Sequence, residues 1–190
     1  MIIGLCGYIG SGKDTCASLL ETHHQFQKMA FASSIKDIIA LLFGWNREHL
    51  EGTSVESREW REQVDPWWTE QLGRAVSPRL MLQIIGTEMF RNCLSPHFWT
   101  TVLKRRIQES DARDIVISDC RFPEEVELIR SLGGVVVCVQ RQSVPPHQDL
   151  AYAHSSEQHI ASILPDATID NSKDLDYLKH QLDTLVQFGR

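Results

Sequence analysis

The sequence predicts an α/β fold, a mainly parallel sheet with helices on both faces. Short apolar runs alternate with helix-length segments along most of the 190 residues. Strands separated by helices imply parallel pairing, because parallel neighbours are joined by a crossover that is usually a helix. Val135–Val139 is an apolar, β-branched run of the kind found in a strand buried on both faces. A glycine-rich turn, Gly7 to Gly12, separates the first strand from the first helix.

Ile2–Cys6 is a short apolar strand, and Lys13–Thr22 is a helix with Ala17, Leu19 and Leu20 apolar. Phe26–Phe31 fits a second strand. Ser33 or Ser34 is placed to cap a helix that runs to about Phe43 and ends at Gly44. Residues 45–76 are different: acidic, Arg-bearing, and rich in tryptophan at Trp45, Trp60, Trp67 and Trp68. Within them Ser54–Val64 predicts a helix stopped before Pro66. Ser77-Pro78 and Ser95-Pro96 each offer a capping hydroxyl followed by proline at the first helical position. They precede helices at Leu80–Phe90 and Phe98–Gln108. Ile115–Ser118 is a strand ending at Asp119, and Pro123–Leu132 is a helix with Gly133 at its C-cap. The Val135–Val139 strand follows. Residues 142–166, with Pro145-Pro146 and three histidines, read as a long loop. Ala167–Ile169 is a last strand, and Leu175, Leu178, Leu182 and Leu185 form an apolar helical stripe.

Composition bounds the class. With 42% hydrophobic and 23% charged residues, the chain reads as one soluble globular domain with a sizeable core. No apolar run is long enough to span a membrane, and the N-terminus has neither the basic flank nor the apolar length of a signal peptide. A net charge of −6 supplies no basic field for duplex nucleic acid, so no nucleic-acid partner is expected. Arginine outnumbers lysine, 13 to 6. That suits two-pronged binding of phosphate or carboxylate, and equally reflects genome composition. Cys6, Cys16, Cys93, Cys120 and Cys138 are an odd, scattered set without a CxxC spacing. They read as reduced, buried thiols of an intracellular, cytoplasmic protein rather than as metal ligands.

The strongest chemical signal is Gly7-Tyr8-Ile9-Gly10-Ser11-Gly12-Lys13-Asp14-Thr15, after a strand and opening a helix. That is the context of a phosphate-binding loop, or P-loop. Gly7, Gly10 and Gly12 let the backbone curl so that N–H groups, including that of Ser11, point at phosphate oxygens. The helix N-terminus adds partial positive charge, and Lys13 adds a full one for the β- and γ-phosphates. The residue after the lysine is usually Ser or Thr, whose hydroxyl holds Mg²⁺. Here it is Asp14, followed by Thr15. Three readings of Asp14 stand open: a Mg²⁺ ligand with Thr15, directly or through water; a group facing the acceptor; or a favourable acid in the first helical turn.

Asp119-Cys120-Arg121 directly follows a strand, where the carboxyl ends of a parallel sheet form the ligand crevice. Asp119 is placed to meet Mg²⁺ or the acceptor, and Arg121 to neutralise phosphate charge during transfer. An Asp–Arg pair capping the next helix is the plain alternative. Arg79 and Gln83 lie four apart on one helix face and suit an anion and a base edge. Arg141 ends the Val135–Gln140 run at the same sheet edge, and His154 lies in the long loop. Asn171-Ser172-Lys173-Asp174 has the wrong order for a guanine-reading motif and reads as a turn plus a helix cap.

These pieces resemble the deoxynucleoside monophosphate kinases of bacteriophages and some large DNA viruses. The resemblance covers most of the chain. It rests on Gly12-Lys13-Asp14-Thr15, Ile35-Lys36-Asp37, the Arg79…Leu82-Gln83…Gly86-Thr87 helix and Trp99. It continues with Asp119-x-Arg121-x-x-x-Glu125, Leu132-Gly133-Gly134, Arg141, His154…Glu157 and Asp170-Asn171. The resemblance implies a single P-loop kinase domain over residues 1–190, using ATP and Mg²⁺. Lys13 and the loop amides would hold ATP with Asp14 and Thr15 near the metal, and Arg141 would join the nucleotide site. Lys36 and Arg79 would contact the acceptor phosphate, with Gln83 beside them. Gly86, Thr87 and Trp99 would shape the acceptor pocket, and Arg121 and Glu125 would contact acceptor or bridging phosphate. Residues 45–76 would be the acceptor-binding or lid insertion, with Arg58 and Arg61 as weaker candidates, and residues 142–166 a second closing loop. A viral or phage enzyme would work in the host cytoplasm. A homodimer is compatible with the sequence. Two other readings stand beside this one: a dephospho-coenzyme A kinase, whose N-terminus is similar, and a P-loop sensor that binds nucleotide without turnover.

Overall fold

A computed structural model describes residues 1–142 and 159–189. The Pro145-Pro146 pair and the His154…Glu157 segment lie outside the described residues. The chain divides into two compact units, one of Met1–Ala30 with Leu103–Arg190 and one of Phe31–Val102.

The first unit holds the sheet. Its strands are β1 (Ile2–Cys6), β2 (Gln27–Met29), β3 (Ile115–Ile117), β4 (Val135–Gln140) and β5 (Ala167–Asp170). All pair in parallel, in the order β2-β3-β1-β4-β5. One face packs on helices α1 (Lys13–His24) and α8 (Leu175–Phe188): Ile3, Leu5, Val116, Val137, Val139 and Ile169 meet Cys16, Ala17 and Leu20 of α1 and Leu178, Leu182 and Val186 of α8. On the other face lies α7 (Pro123–Ser131), whose Ile129 fills the space left by the missing side chain of Gly4. The predicted doubly covered parallel sheet is therefore present. The α8 stripe is shifted: Leu178, Leu182 and Val186 are buried at a spacing of four, while Leu175 is exposed.

The second unit is helical: α2 (Ser33–Phe43), a 3₁₀ turn at His49–Glu51, α3 (Val55–Glu62), α4 (Pro66–Leu72), α5 (Pro78–Gln83), and the first residues of α6 (Phe98–Gln108). The tryptophan-rich stretch builds part of this unit's own core. Phe43 stacks on Trp45 at 4.5 Å and meets Trp68 edge-on at 4.9 Å, around buried Ile39, Leu50, Val76, Met81 and Ile85.

Several local expectations are corrected. Ala32, not Ser33 or Ser34, stands at the α2 N-cap, and both serines lie inside the first turn. The helix expected over Ser54–Val64 is α3, which ends before Pro66, but Pro66 also opens α4: Asp65 accepts from the Trp68 N–H at 3.0 Å, and proline at the first position loses no helical bond. Ser77 caps α5 as expected, accepting from the Leu80 N–H at 3.2 Å. Ser95 caps nothing. It is extended, and its carbonyl accepts from Phe98 N–H in a turn, so α6 begins two residues after Pro96. The helix expected over Leu80–Phe90 is α-type only to Gln83 and widens to π-type turns over Ile84–Leu94. Apolar periodicity over one or two turns does not separate these two windings. Among the cysteines, Cys6, Cys16 and Cys120 are buried, Cys138 is half-buried and Cys93 is exposed.

Candidate active site

In a parallel sheet the segments leaving the strand carboxyl ends share one edge. Here β1 leads into Gly7–Gly12, β3 into Asp119–Arg121, β4 into Arg141 and β5 into Asn171. The central strand β1 is flanked by β3 and β4, so the glycine loop lies between the Asp119 and Arg141 segments.

The loop geometry requires its glycines. Gly7, Gly10 and Gly12 all have positive φ, at 140°, 82° and 103°. A Cβ on Gly7 would overlap the Val139 carbonyl oxygen, and one on Gly12 would overlap the Asn171 amide. Ser11 N–H donates to the Tyr8 carbonyl at 3.1 Å, closing the turn. The Lys13 side chain folds back over the loop, and its Nζ donates to the carbonyls of Gly7 at 2.6 Å and Tyr8 at 2.9 Å. Lys13 is only 8% exposed, so its charge is held in a low-dielectric setting where it acts strongly on a nearby anion. The Ser11 hydroxyl is 2% exposed, and its Oγ has no hydrogen-bond partner among the described residues. A buried hydroxyl of this kind costs free energy until an acceptor or donor meets it. Together with the glycine cradle it fits a phosphate oxygen.

Four further groups lie at this edge. Asp14, exposed at the start of α1, pairs with Lys28 of β2 at 3.1 Å. Lys28 is thus a cation that tempers the repulsion between Asp14 and a triphosphate, and sequence reasoning missed it. Thr15 is exposed beside Asp14. One carboxylate and one hydroxyl are hard oxygen donors of the type Mg²⁺ takes when substrate phosphates fill most of its shell. The sequence marks Asn171 as part of a turn and of the Asp170-Asn171 piece, but not its contact with the loop. Its Nδ2 donates to the Ser11 carbonyl at 2.8 Å and its backbone N–H to the Gln140 carbonyl at 2.7 Å, which ties the loop to the ends of β4 and β5. The signal available in sequence was its place directly after the last strand.

Asp119 is half-buried in the turn after β3, and the Cys120 N–H donates to the Leu5 carbonyl at 3.1 Å, so this segment is anchored to β1. Glu125 is buried to 3% exposure, and its Oε2 accepts from the backbone N–H groups of Arg121 at 2.8 Å and Phe122 at 3.1 Å. The Glu125 carboxylate therefore caps α7 and fixes the Arg121 backbone. Arg121 itself is half-buried, and Arg141 is exposed. Replacing Glu125 by Ala should cost about 1–3 kcal/mol in chemical denaturation, the scale for stranding buried donors. Glu125→Gln, which keeps an acceptor oxygen, should recover most of that loss. Equal loss in both variants would show that the carboxylate charge, not the cap, is what matters.

The second unit carries the other predicted residues. Lys36 donates to Glu51 at 2.5 Å, and Glu51 also pairs with Arg47, which reaches Asp37 at 2.5 Å. Burial raises the Glu51 carboxyl, but the Lys36 ammonium and Arg47 guanidinium outweigh it and hold it below its usual range. Arg79 and Gln83 share a face of α5, and the nearest acid to Arg79 is Glu62, at a loose 3.9 Å. Gly86 is buried in the π-type turns, where a Cβ would press on Ile35 Cδ1 at 3.1 Å, so α2 and this helix approach closely beside Lys36. Thr87 is half-buried. Trp99 is 2% exposed and donates its indole N–H to the Gly86 carbonyl at 2.7 Å. Phe90 and Phe98 pack on its ring at 5.0 and 4.9 Å. Trp99 thus braces the Gly86 backbone. Arg91, on the same turns, is a buried guanidinium that sequence reasoning did not single out.

A sequence profile described as deoxynucleotide monophosphate kinase matches residues 68–182, well over half of the chain. A protein of Acanthamoeba polyphaga mimivirus, provisionally named a deoxynucleotide monophosphate kinase, is 29% identical over 198 residues, covering 98% of this chain and 96% of its own. The deoxynucleoside-5′-monophosphate kinase of Escherichia phage T5 is 27% identical, covering 68% of this chain and 72% of its own. Among solved structures, shikimate kinase from Aquifex aeolicus superposes with a TM-score of 0.52 at 16% identity, covering 99% of this chain and 97% of its own. Dephospho-CoA kinase from Campylobacter jejuni gives 0.52 at 13% identity, covering 98% and 95%. At these identities the two structures share the fold. No helix among the described residues is long and apolar enough to cross a membrane.

Proposed function

The chain belongs to the deoxynucleotide monophosphate kinase family, and from that premise we propose that it transfers the γ-phosphoryl group of ATP to a deoxynucleoside 5′-monophosphate. The observation that carries this reading is the loop itself: a glycine cradle with a buried lysine and a buried serine hydroxyl that has no partner among the described residues, all at one sheet edge.

Lys13 and the N–H groups of residues 10–13 bind and orient the triphosphate. Lys13 exchanges its two carbonyl partners for phosphate oxygens and adds a full positive charge where negative charge shifts during transfer. Asn171 keeps the loop in register through the Ser11 carbonyl. Asp14 and Thr15 are the residues that would hold Mg²⁺, which supplies charge neutralisation at the β- and γ-phosphates. Arg121, held by Glu125, offers a guanidinium to the transferring group, with Asp119 and Arg141 at the same edge. Lys36 and Arg79 bind the acceptor phosphate, with Gln83 one turn from Arg79 and the Gly86–Thr87 backbone beside them. An acceptor oxygen bonds to the γ-phosphorus as the bond to the β,γ-bridging oxygen breaks, leaving ADP. That acceptor oxygen is already anionic, so no strong general base is needed.

The test is ADP release measured with a panel of monophosphates in ribose and deoxyribose forms, with dephospho-coenzyme A alongside. ADP formed only with deoxynucleoside monophosphates supports the reading. Dephospho-coenzyme A as sole acceptor, or ATP binding without turnover, contradicts it. Arg79→Ala should raise the acceptor KM about tenfold or more, the scale of a lost charged hydrogen bond, with little change in ATP affinity. A fall in ATP affinity with unchanged acceptor KM would place Arg79 on the donor side.

A further inference from the structure

Strands β1 and β4 pair in parallel with Cys6 in register with Cys138. Side chains in register on neighbouring parallel strands leave the sheet on the same face. Adjacent strands lie about 4.8 Å apart, inside the Cα separation of about 4.4–6.8 Å that a disulfide spans. The two thiols are neighbours that act on each other: each is the largest influence on the other's proton affinity. Cys6 is 1% exposed, whereas Cys138 is half-buried and open to a small reagent. The neighbouring Cys6 lowers the Cys138 thiol, burial opposes it, and Gln140 and the Lys13 charge add to the lowering, so Cys138 is the more acidic of the two.

This pair adjoins the phosphate loop. Gly7 follows Cys6, receives the Lys13 ammonium on its carbonyl at 2.6 Å, and lies so close to Val139 that a Cβ would overlap the Val139 carbonyl. Val139 in turn follows Cys138. A covalent link here would draw two non-bonded sulfurs to the about 2.05 Å of an S–S bond, beside the backbone on which the loop turns.

We propose that Cys6 and Cys138 form a reversible oxidation site, with a peroxide as oxidant, whose disulfide disables the phosphate loop. The Cys138 thiolate attacks a peroxide oxygen; the O–O bond breaks, and a sulfenic acid and, after proton uptake, water or an alcohol are formed. The Cys6 sulfur then attacks the Cys138 sulfur, expelling hydroxide, which takes up the Cys6 proton and leaves as water. In sum, two thiols and one hydrogen peroxide give one disulfide and two waters. Two equivalents of a monothiol reductant, themselves oxidised to their disulfide, restore both thiols. The consequence for ATP rests on the reading of the loop given above; the covalent step does not.

The test treats the full chain with hydrogen peroxide, maps cysteine linkages by mass spectrometry without reductant, and measures ATP affinity. The expected result is a Cys6–Cys138 linked peptide lighter by about 2 Da than the two reduced peptides combined. The Kd for ATP should rise about tenfold or more, as strain at the strand junction transmits to the loop. Dithiothreitol should reverse both. Cys138→Ser, with Cys138→Ala as a second variant should the first fold poorly, should bind ATP as the parent does and keep that affinity under peroxide. The proposal is overturned if no such peptide forms, if the linked protein binds ATP unchanged, or if the Cys138 variants lose binding equally under peroxide. Should the reduced protein not bind ATP, the loop reading itself fails. The oxidation site is then judged by amide exchange over residues 8–15, which must be faster in the linked protein.

Discussion

Lys13→Ala is expected to lower kcat about 10²–10³-fold, the cost of removing one preorganised charge or donor at a transferring group, about 3–4 kcal/mol. The magnitude follows from where the ammonium sits. It is buried, carried by the first residue of α1, and held over the loop by two carbonyls that it exchanges for phosphate oxygens. The same contacts mean that the variant also strands the Gly7 and Tyr8 carbonyls, so its thermal unfolding must be measured beside its rate. Steady-state turnover at saturating ATP and acceptor, on protein shown to be folded, isolates the effect. Near-parental turnover would remove this loop from the donor site.

Trp99→Ala is expected to destabilise the protein by about 3–5 kcal/mol, the usual cost of truncating a fully buried aromatic. Trp99→Phe keeps much of the ring packing on Phe90 and Phe98 but leaves the Gly86 carbonyl without its indole donor, for about 1–3 kcal/mol. Chemical denaturation of both variants checks the two magnitudes. With only 2% of Trp99 exposed, no ring surface is left for a sugar. The ratio of kcat/KM for deoxyribose over ribose acceptors should therefore stay constant in Trp99→Phe. A marked rise in ribonucleotide use would instead make the tryptophan part of the pocket wall.

What was legible in the sequence was local in the chain. The strand, glycine turn, lysine and helix of residues 2–24 lie within one contiguous stretch, and each requirement for positive φ falls on a glycine. The β-branched run at Val135–Val139 marks an interior strand because no alternating polar residue interrupts it. The misreadings came where one residue type serves two local structures. Asp65-Pro66 looks like a helix stop from one side and a helix start from the other. Ser95-Pro96 looks like a cap, although its serine carbonyl is used in a turn. What stayed hidden depends on residues far apart in sequence. Asn171 reaches Ser11, Lys28 reaches Asp14, and Trp99 reaches the Gly86 carbonyl within the π-type turns. Glu125 is legible as a site residue, but its use as a buried cap for the backbone of Arg121 is not. Spacing alone does not distinguish those uses, because the same i to i+4 interval serves both.

The γ-phosphoryl group is expected to move from ATP to a deoxynucleoside monophosphate. The most direct measurement follows ATP labelled at the γ-phosphorus, with product identified after a single turnover. The expected result is label in the deoxynucleoside diphosphate, equal in amount to the ADP formed, and formed about 10²–10³-fold more slowly when Lys13 is replaced by Ala. Label released as inorganic phosphate, found on dephospho-coenzyme A, or retained in bound ATP would contradict the account.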